Sequence, residues 1–202
     1  MKLVRSLFCA VAMLALYGTA SAFTLTFDEL PMQPVDGLSY QGVSFGFTVG
    51  GVNSTDAYYN MSAAGPFTVN VQDPSLVGTA AGVLTLDFAA PVNYLSFDVA
   101  LDITGPLAPG FIVSLFDPNL IPLNIFQINT DSLQPGFWSE GTFSHNGGLL
   151  GRAVIEFGPN AGVFALDNLS SVPEPSTIFL LGGGMAGAAL LARKRRKNQI
   201  TP

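Results

Sequence analysis

The chain has 202 residues and a formal net charge of −6, with 14 Asp and Glu against 8 Lys and Arg. Seven of the eight cations lie at the two ends, so the stretch between them sets thirteen acids against Arg152 alone. A surface so short of cations cannot neutralise phosphates. This excludes a nucleic-acid partner and general phosphate binding, and it leaves room for divalent cations and for solubility through self-repulsion.

At the start, Lys2 and Arg5 precede an apolar run over residues 6–18, and small residues end in Ala20-Ser21-Ala22. A basic beginning, an apolar stretch of about 7–15 residues and an A-x-A site predict a secretory signal peptide over residues 1–22, removed to leave Phe23 first. The single cysteine, Cys9, falls inside it and has no lipoprotein-type cleavage sequence around it. The mature chain therefore has neither a disulfide framework nor thiolate chemistry.

Residues 23–171 are long enough for one domain with a real core. Strands are expected at 24–27, 43–49, 67–71, 83–88, 93–101, 111–116, 123–128, 137–143, 153–157 and 163–169. Leu84, Leu86 and Phe88 alternate with Thr85 and Asp87, and Leu95, Phe97, Val99 and Leu101 alternate with Ser96, Asp98 and Ala100. That period of two marks half-buried antiparallel strands. Turn signals such as Gly50-Gly51, Asp73-Pro74, Ala90-Pro91, Asp117-Pro118-Asn119 and Asn146-Gly147-Gly148 punctuate them, and no stretch keeps a helical period. The fold class expected is all-β, an antiparallel β-sandwich of jelly-roll type.

Three side-chain groups in this domain bear on chemistry. Gly42-Val43-Ser44-Phe45-Gly46 fits G-x-S-x-G, but the pattern needs a strand-to-helix turn and here an alternating strand runs on. Ser44 with His145, the only histidine, remains a formal hydrolase alternative. Glu140 and Glu156 are candidate paired carboxylates for glycan hydrolysis, while the phase of Glu156 against Ile155 and Phe157 makes it a solvated face residue. Trp138, the only tryptophan, beside Glu140 is a candidate platform for a sugar ring.

The end of the chain carries the most specific signal. Residues 176–192 hold no charge and reach the lower limit of a membrane span. Arg193, Lys194, Arg195, Arg196 and Lys197 follow at once, a stop-transfer cluster that stays cytoplasmic. Just before the run, Pro173-Glu174-Pro175 is held extended by its prolines, which also keep a helix from starting before Ser176. This order of parts over residues 172–197, with 198–202 as a cytoplasmic tail, resembles the PEP-CTERM sorting signal of exported Gram-negative bacterial proteins. The resemblance implies export through the translocon, transient anchoring in the inner membrane and processing by an exosortase near Pro173, Glu174 and Pro175, which are substrate rather than catalyst. It further implies delivery to the cell envelope, cell surface or extracellular matrix, in association with exopolysaccharide or biofilm.

A second resemblance is architectural. The opening Phe27-Asp28-Glu29 and closing Asp167-Asn168-Leu169 are similar to the end strands of carbohydrate-binding-module-like jelly rolls, many of which hold a structural calcium between first and last strands. It implies calcium with Asp28, Glu29, Asp167 and Asn168 as oxygen ligands. The function expected is that of a non-enzymatic module binding polysaccharide or protein. Alternatives are a secreted glycan or ester hydrolase, or a purely structural surface component.

Overall fold

The computed structural model describes residues 22–133 and 136–173; the expected signal peptide, the apolar span at 176–192 and the basic cluster lie outside the described residues. Twelve strands join in one antiparallel hydrogen-bonded sheet, and no described helix is long and apolar enough to cross a membrane. The spine is a ribbon of β8 (Gly82–Asp102) and β11 (Trp138–Phe157), paired from Glu156↔Val83 to Trp138↔Asp102.

One arm of the ribbon is flanked by β4 (Val43–Val49) on β8 and by β9 (Leu107–Phe116) on β11. The other arm is flanked by β12 (Val163–Pro173), which in turn pairs with β7 (Ser75–Thr79) and with β1 (Phe23–Leu25). Beyond β7 lie β6 (Ala57–Met61) and β2 (Gln33–Pro34). Short β3 (Ser39–Tyr40) and β5 (Val52–Asn53) extend β4, and β10 (Pro122–Ser132) extends β9 before its last residues reach β11.

The arms fold face to face. Phe47 of β4 meets Phe164 of β12 at 6.0 Å between ring centroids, and Phe97 of β8 meets Phe111 of β9 at 6.2 Å. Phe157, at the end of the first arm, stacks on Phe164 at 3.7 Å. Apolar residues from both arms thus form one core, the sandwich expected from alternation.

Where the ribbon turns back, its inward phase changes. Leu84, Leu86 and Phe88 point in on the first arm, and Leu95, Phe97, Val99 and Leu101 on the second, so even numbers give way to odd. The cause is a bulge: Val172 pairs with Tyr94 and Pro173 with Val92, leaving Asn93 as the extra residue. Gly151 lets the corner close, since a Cβ there would lie 2.7 Å from the Asp117 carbonyl oxygen and from Pro118 Cα. Ala90-Pro91 and Asn146-Gly147-Gly148, expected to separate strands, are therefore corners of continuous strands.

The strand expected at 67–71 is absent. A 3-10 turn at Gly65–Phe67 leads into a loop there, and the strands before and after it, β6 and β7, are additional to those expected.

Candidate functional site

The loop at 62–74 covers the outer face of the second arm; carboxylates of Glu140 and Asp167 hold it there, and that of Asp73 braces it from within. Glu140, on β11, is 7% exposed and accepts backbone N–H bonds from Val69, Asn70 and Val71 at 3.0–3.1 Å, with the Asn70 amide at 3.3 Å. Asp73 accepts from Ala63 N and Gly65 N at 3.1 and 2.7 Å. Asp167, on β12, accepts from Gln72 N at 2.9 Å. The loop's N–H groups, which a strand would pair with a neighbour, go to side chains instead. Under it Trp138, Ala64, Val71, Val77, Ala100 and Ala165 form a second apolar cluster.

This burial corrects the reading of Trp138. At 7% exposure its ring packs in the cluster beneath the loop and offers no open face to a sugar. The hydrolase geometries fail as well. Glu140 is spent on the loop, and it lies on the outer face of one arm while Glu156 lies on the outer face of the other. Two layers of sheet, about 10 Å apart, separate faces that would have to flank one glycosidic bond. Ser44 points outward from β4 and bonds to Ser39 Oγ at 2.7 Å, whereas His145 follows the inward phase of Phe143 and packs against Phe126.

The closing strands do meet, as expected: Phe23, Thr24 and Leu25 pair with Ser171, Ser170 and Leu169. A bulge between Asp167 and Ser170 puts Asn168 in the left-handed region (φ 55°), which asparagine tolerates. Asn168 then donates its amide to the Asn70 carbonyl and to Asp98 Oδ2, both at 3.0 Å. Asp167, 2% exposed, is pushed up to about 6. Burial is the main cause, with the charges of Asp98 and Glu29 adding, against lowering bonds from Gln72 and Asn168.

Glu29 lies on the exposed side of the same region. Burial acts to raise it, but the Tyr59 hydroxyl and Thr26 N–H donate to it and hold it below the ordinary carboxylate range. Tyr59 is driven upward by its own burial first and by that bond second. Asp28 accepts from the Thr26 hydroxyl at 2.8 Å.

As folded, this donor set does not fit a calcium ion. Both oxygens of Asp167 and both of Glu29 receive N–H or O–H groups, and Asn168 turns its amide nitrogen toward Asp98. Among the described residues no three His, Cys, Asp or Glu stand in a group suited to a metal. The calcium expectation therefore rests on resemblance alone.

A separate depression of about 320 Å³ opens where β9 begins and β11 ends, lined by Leu107, Pro109, Ile112, Glu156, Pro159 and Asn160 among others. Apolar and ring surface with one carboxylate and one amide is a composition able to hold a small polar ligand. Glu156 was expected as a solvated face residue or as half of a catalytic carboxylate pair, and nothing local in the sequence places residues 107–112 beside 156–160.

The last described residues lead into the sorting motif. Pro173 is itself the end of β12, paired with Val92. Glu174 and Pro175 lie outside the described residues.

Comparison with known proteins agrees on that motif. Residues 171–196 match a family model described as the PEP-CTERM protein-sorting motif, so the chain carries this signal. Among solved structures, a carbohydrate-binding module of family 29, CBM29-2, aligns over 75% of this chain and 91% of its own at 9% identity and a TM-score of 0.38. The CBM22-1–GH10 modules of Clostridium thermocellum xylanase 10B, solved with xylohexaose, align over 77% of this chain and 28% of theirs at 12% identity and a TM-score of 0.39. Likeness at that level assigns no ligand. No curated protein matches the chain.

Proposed function

We propose that this is an exported display protein: a non-enzymatic β-sandwich carried to the membrane, released or transferred by an exosortase, and left at the cell envelope or in the matrix. One observation carries the reading. The matched sorting motif begins inside the last strand of the folded domain, so β12 hands the chain directly to Pro-Glu-Pro.

The ligand of the displayed domain is proposed to be an envelope or matrix polysaccharide, as association with exopolysaccharide or biofilm would require. The depression at Glu156 is its candidate seat, because it joins apolar surface to hydrogen-bonding groups at the end of the sandwich away from Pro173. Glu156 and Asn160 would accept and donate to sugar hydroxyls while the rims of Leu107 and Pro159 cover the ring.

Two experiments test the two halves. Replacing Pro173, Glu174 and Pro175 by alanine should leave the exported chain in the membrane fraction at precursor size; unchanged processing would defeat the sorting reading. Glycan-array binding by the domain, lost at least tenfold in Glu156→Gln and unaccompanied by turnover, supports the ligand reading. Glycan cleavage would establish the hydrolase alternative instead, and neither binding nor cleavage would leave a structural surface component.

A further inference from the structure

Both membrane-directed segments of the chain leave the domain from the same end. Phe23, which follows the signal-peptide site, pairs with Ser171, and Pro173 pairs with Val92 in the corner of the ribbon. Three turns gather at that corner. Ala89 N bonds to the Gly42 carbonyl at the β3–β4 turn, Leu150 pairs with Val92, and Gly151 lies against the Asp117-Pro118 turn between β9 and β10.

No Asp, Glu, Lys or Arg side chain lies at this end, in a domain that carries thirteen acids, and the one charge that processing adds, the α-amino group of Phe23, is a cation. Residues 22–24, 38–43, 88–94, 118–122, 144–150 and 170–173 contain no Asp, Glu, Lys or Arg. The nearest acid, Asp117, spends Oδ1 on the N–H groups of Asn119 and Ile121 at 2.8 Å, and Asp87 is paired with Arg152. At the tip of the β9–β10 turn, Leu120 and Ile121 are 50% and 58% exposed, and Leu123 on the adjoining strand is 49% exposed. Leu120 is held at φ 63°, a conformation glycine would take more readily, so an apolar side chain stands here against local preference.

The chain length beyond Pro173 limits how far this end can stand from the uncharged run. Only Glu174 and Pro175 separate it from Ser176, where the uncharged run begins. Three fully extended steps span at most about 11 Å, and the headgroup layer of one leaflet is about 5–7 Å thick. Resting on the anchored stage proposed above, we propose that the corner end is a lipid-docking surface. While the tail spans the membrane, Leu120 and Ile121 enter the headgroup layer, as the apolar face of a peripheral anchor does. The acids elsewhere on the domain are kept off an anionic surface by the same orientation, and the depression at Glu156 faces outward.

The chain is tested as the anchored stage holds it, residues 23–202 with the signal peptide removed, where a single introduced cysteine is the only thiol. Ile121→Cys reports the corner end; Val52→Cys, 70% exposed and beside the start of β8, reports the far end. Each is labelled with an environment-sensitive fluorophore in phosphatidylcholine–phosphatidylglycerol vesicles and challenged with nitroxide-headgroup lipid and with aqueous iodide. Retention through alkaline carbonate extraction checks the anchor independently. The proposal expects the label at 121 to be quenched by the nitroxide lipid and to be at least threefold less accessible to iodide than the label at 52. Equal iodide access for both in a carbonate-resistant chain overturns docking and leaves anchoring intact. A chain stripped by carbonate overturns anchoring and docking together. Leu120→Cys repeats the measurement at a second site, should the label at 121 perturb the turn.

Discussion

Removing the Glu140 carboxylate should release the loop at 62–74, and its cost follows from the bonds it receives. Three backbone N–H groups, from Val69, Asn70 and Val71, converge on Oε1, while Oε2 takes the Asn70 N–H and its amide. Bonds to a charged acceptor contribute about 1.5–3 kcal/mol each and neutral ones about 0.5–1.5. In Glu140→Gln the amide oxygen keeps the three N–H bonds as neutral ones, but the new NH₂ then faces the Asn70 donors. A loss of about 2–3 kcal/mol is expected. In Glu140→Ala the N–H of Val71, a fully buried residue, and its neighbours are left without acceptors, so about 3–5 kcal/mol is expected. Urea unfolding of the exported domain measures both. Trp138, the only tryptophan and packed under the loop, reports loop release in its emission, which should shift to the red in folded Glu140→Ala. A cost under about 1 kcal/mol with an unchanged spectrum would refute the reasoning.

Stability should also depend on pH through Asp167. Its pKa rises from an ordinary 3.8 to about 6, so the folded state holds this proton more tightly than the unfolded one. The contribution is therefore fully present below about pH 4, is lost as pH rises to about 6 and is flat above, with a ceiling of about 3 kcal/mol. Melting from pH 4 to 7 should show that component in the native chain and its absence in Asp167→Asn; identical slopes would refute the assignment. Because the candidate calcium oxygens already hold protein donors, chelator should leave the melting midpoint unchanged, and a midpoint that falls in chelator and returns with calcium would establish a site at the closing strands. Gly151→Ala should cost about 2–3 kcal/mol by forcing the corner off the Asp117-Pro118 backbone, and a variant within about 0.5 kcal/mol would show that the corner yields.

Which parts of this fold could be read in advance depends on which faces are buried. β4 was legible to the residue because Val43, Phe45 and Phe47 face the core and Ser44 and Gly46 do not. β7 was not, since Ser75, Leu76, Val77 and Gly78 are buried on both faces once the loop at 62–74 covers the outer one, and alternation disappears. The same loop accounts for the strand wrongly expected at 67–71: Val69 and Val71 suit a strand, but Glu140, 69 residues from Val71 in sequence, takes their N–H groups. Trp138 misled for the same reason, as nothing local announces what lies over it. The joining of β1 to β12 was legible from the two chain ends, whereas the commitment of Asp167 to Gln72 is a tertiary fact. The sorting motif needed no folding to be read, because its parts act in sequence order.

If the tail is a temporary anchor removed after export, the intact mass of the protein recovered from its own host's envelope or medium will record the loss. The expected mature chain begins at Phe23 and ends near Pro173-Glu174-Pro175, with residues 193–202 gone. A mature chain that still contains residues 193–202 would contradict it.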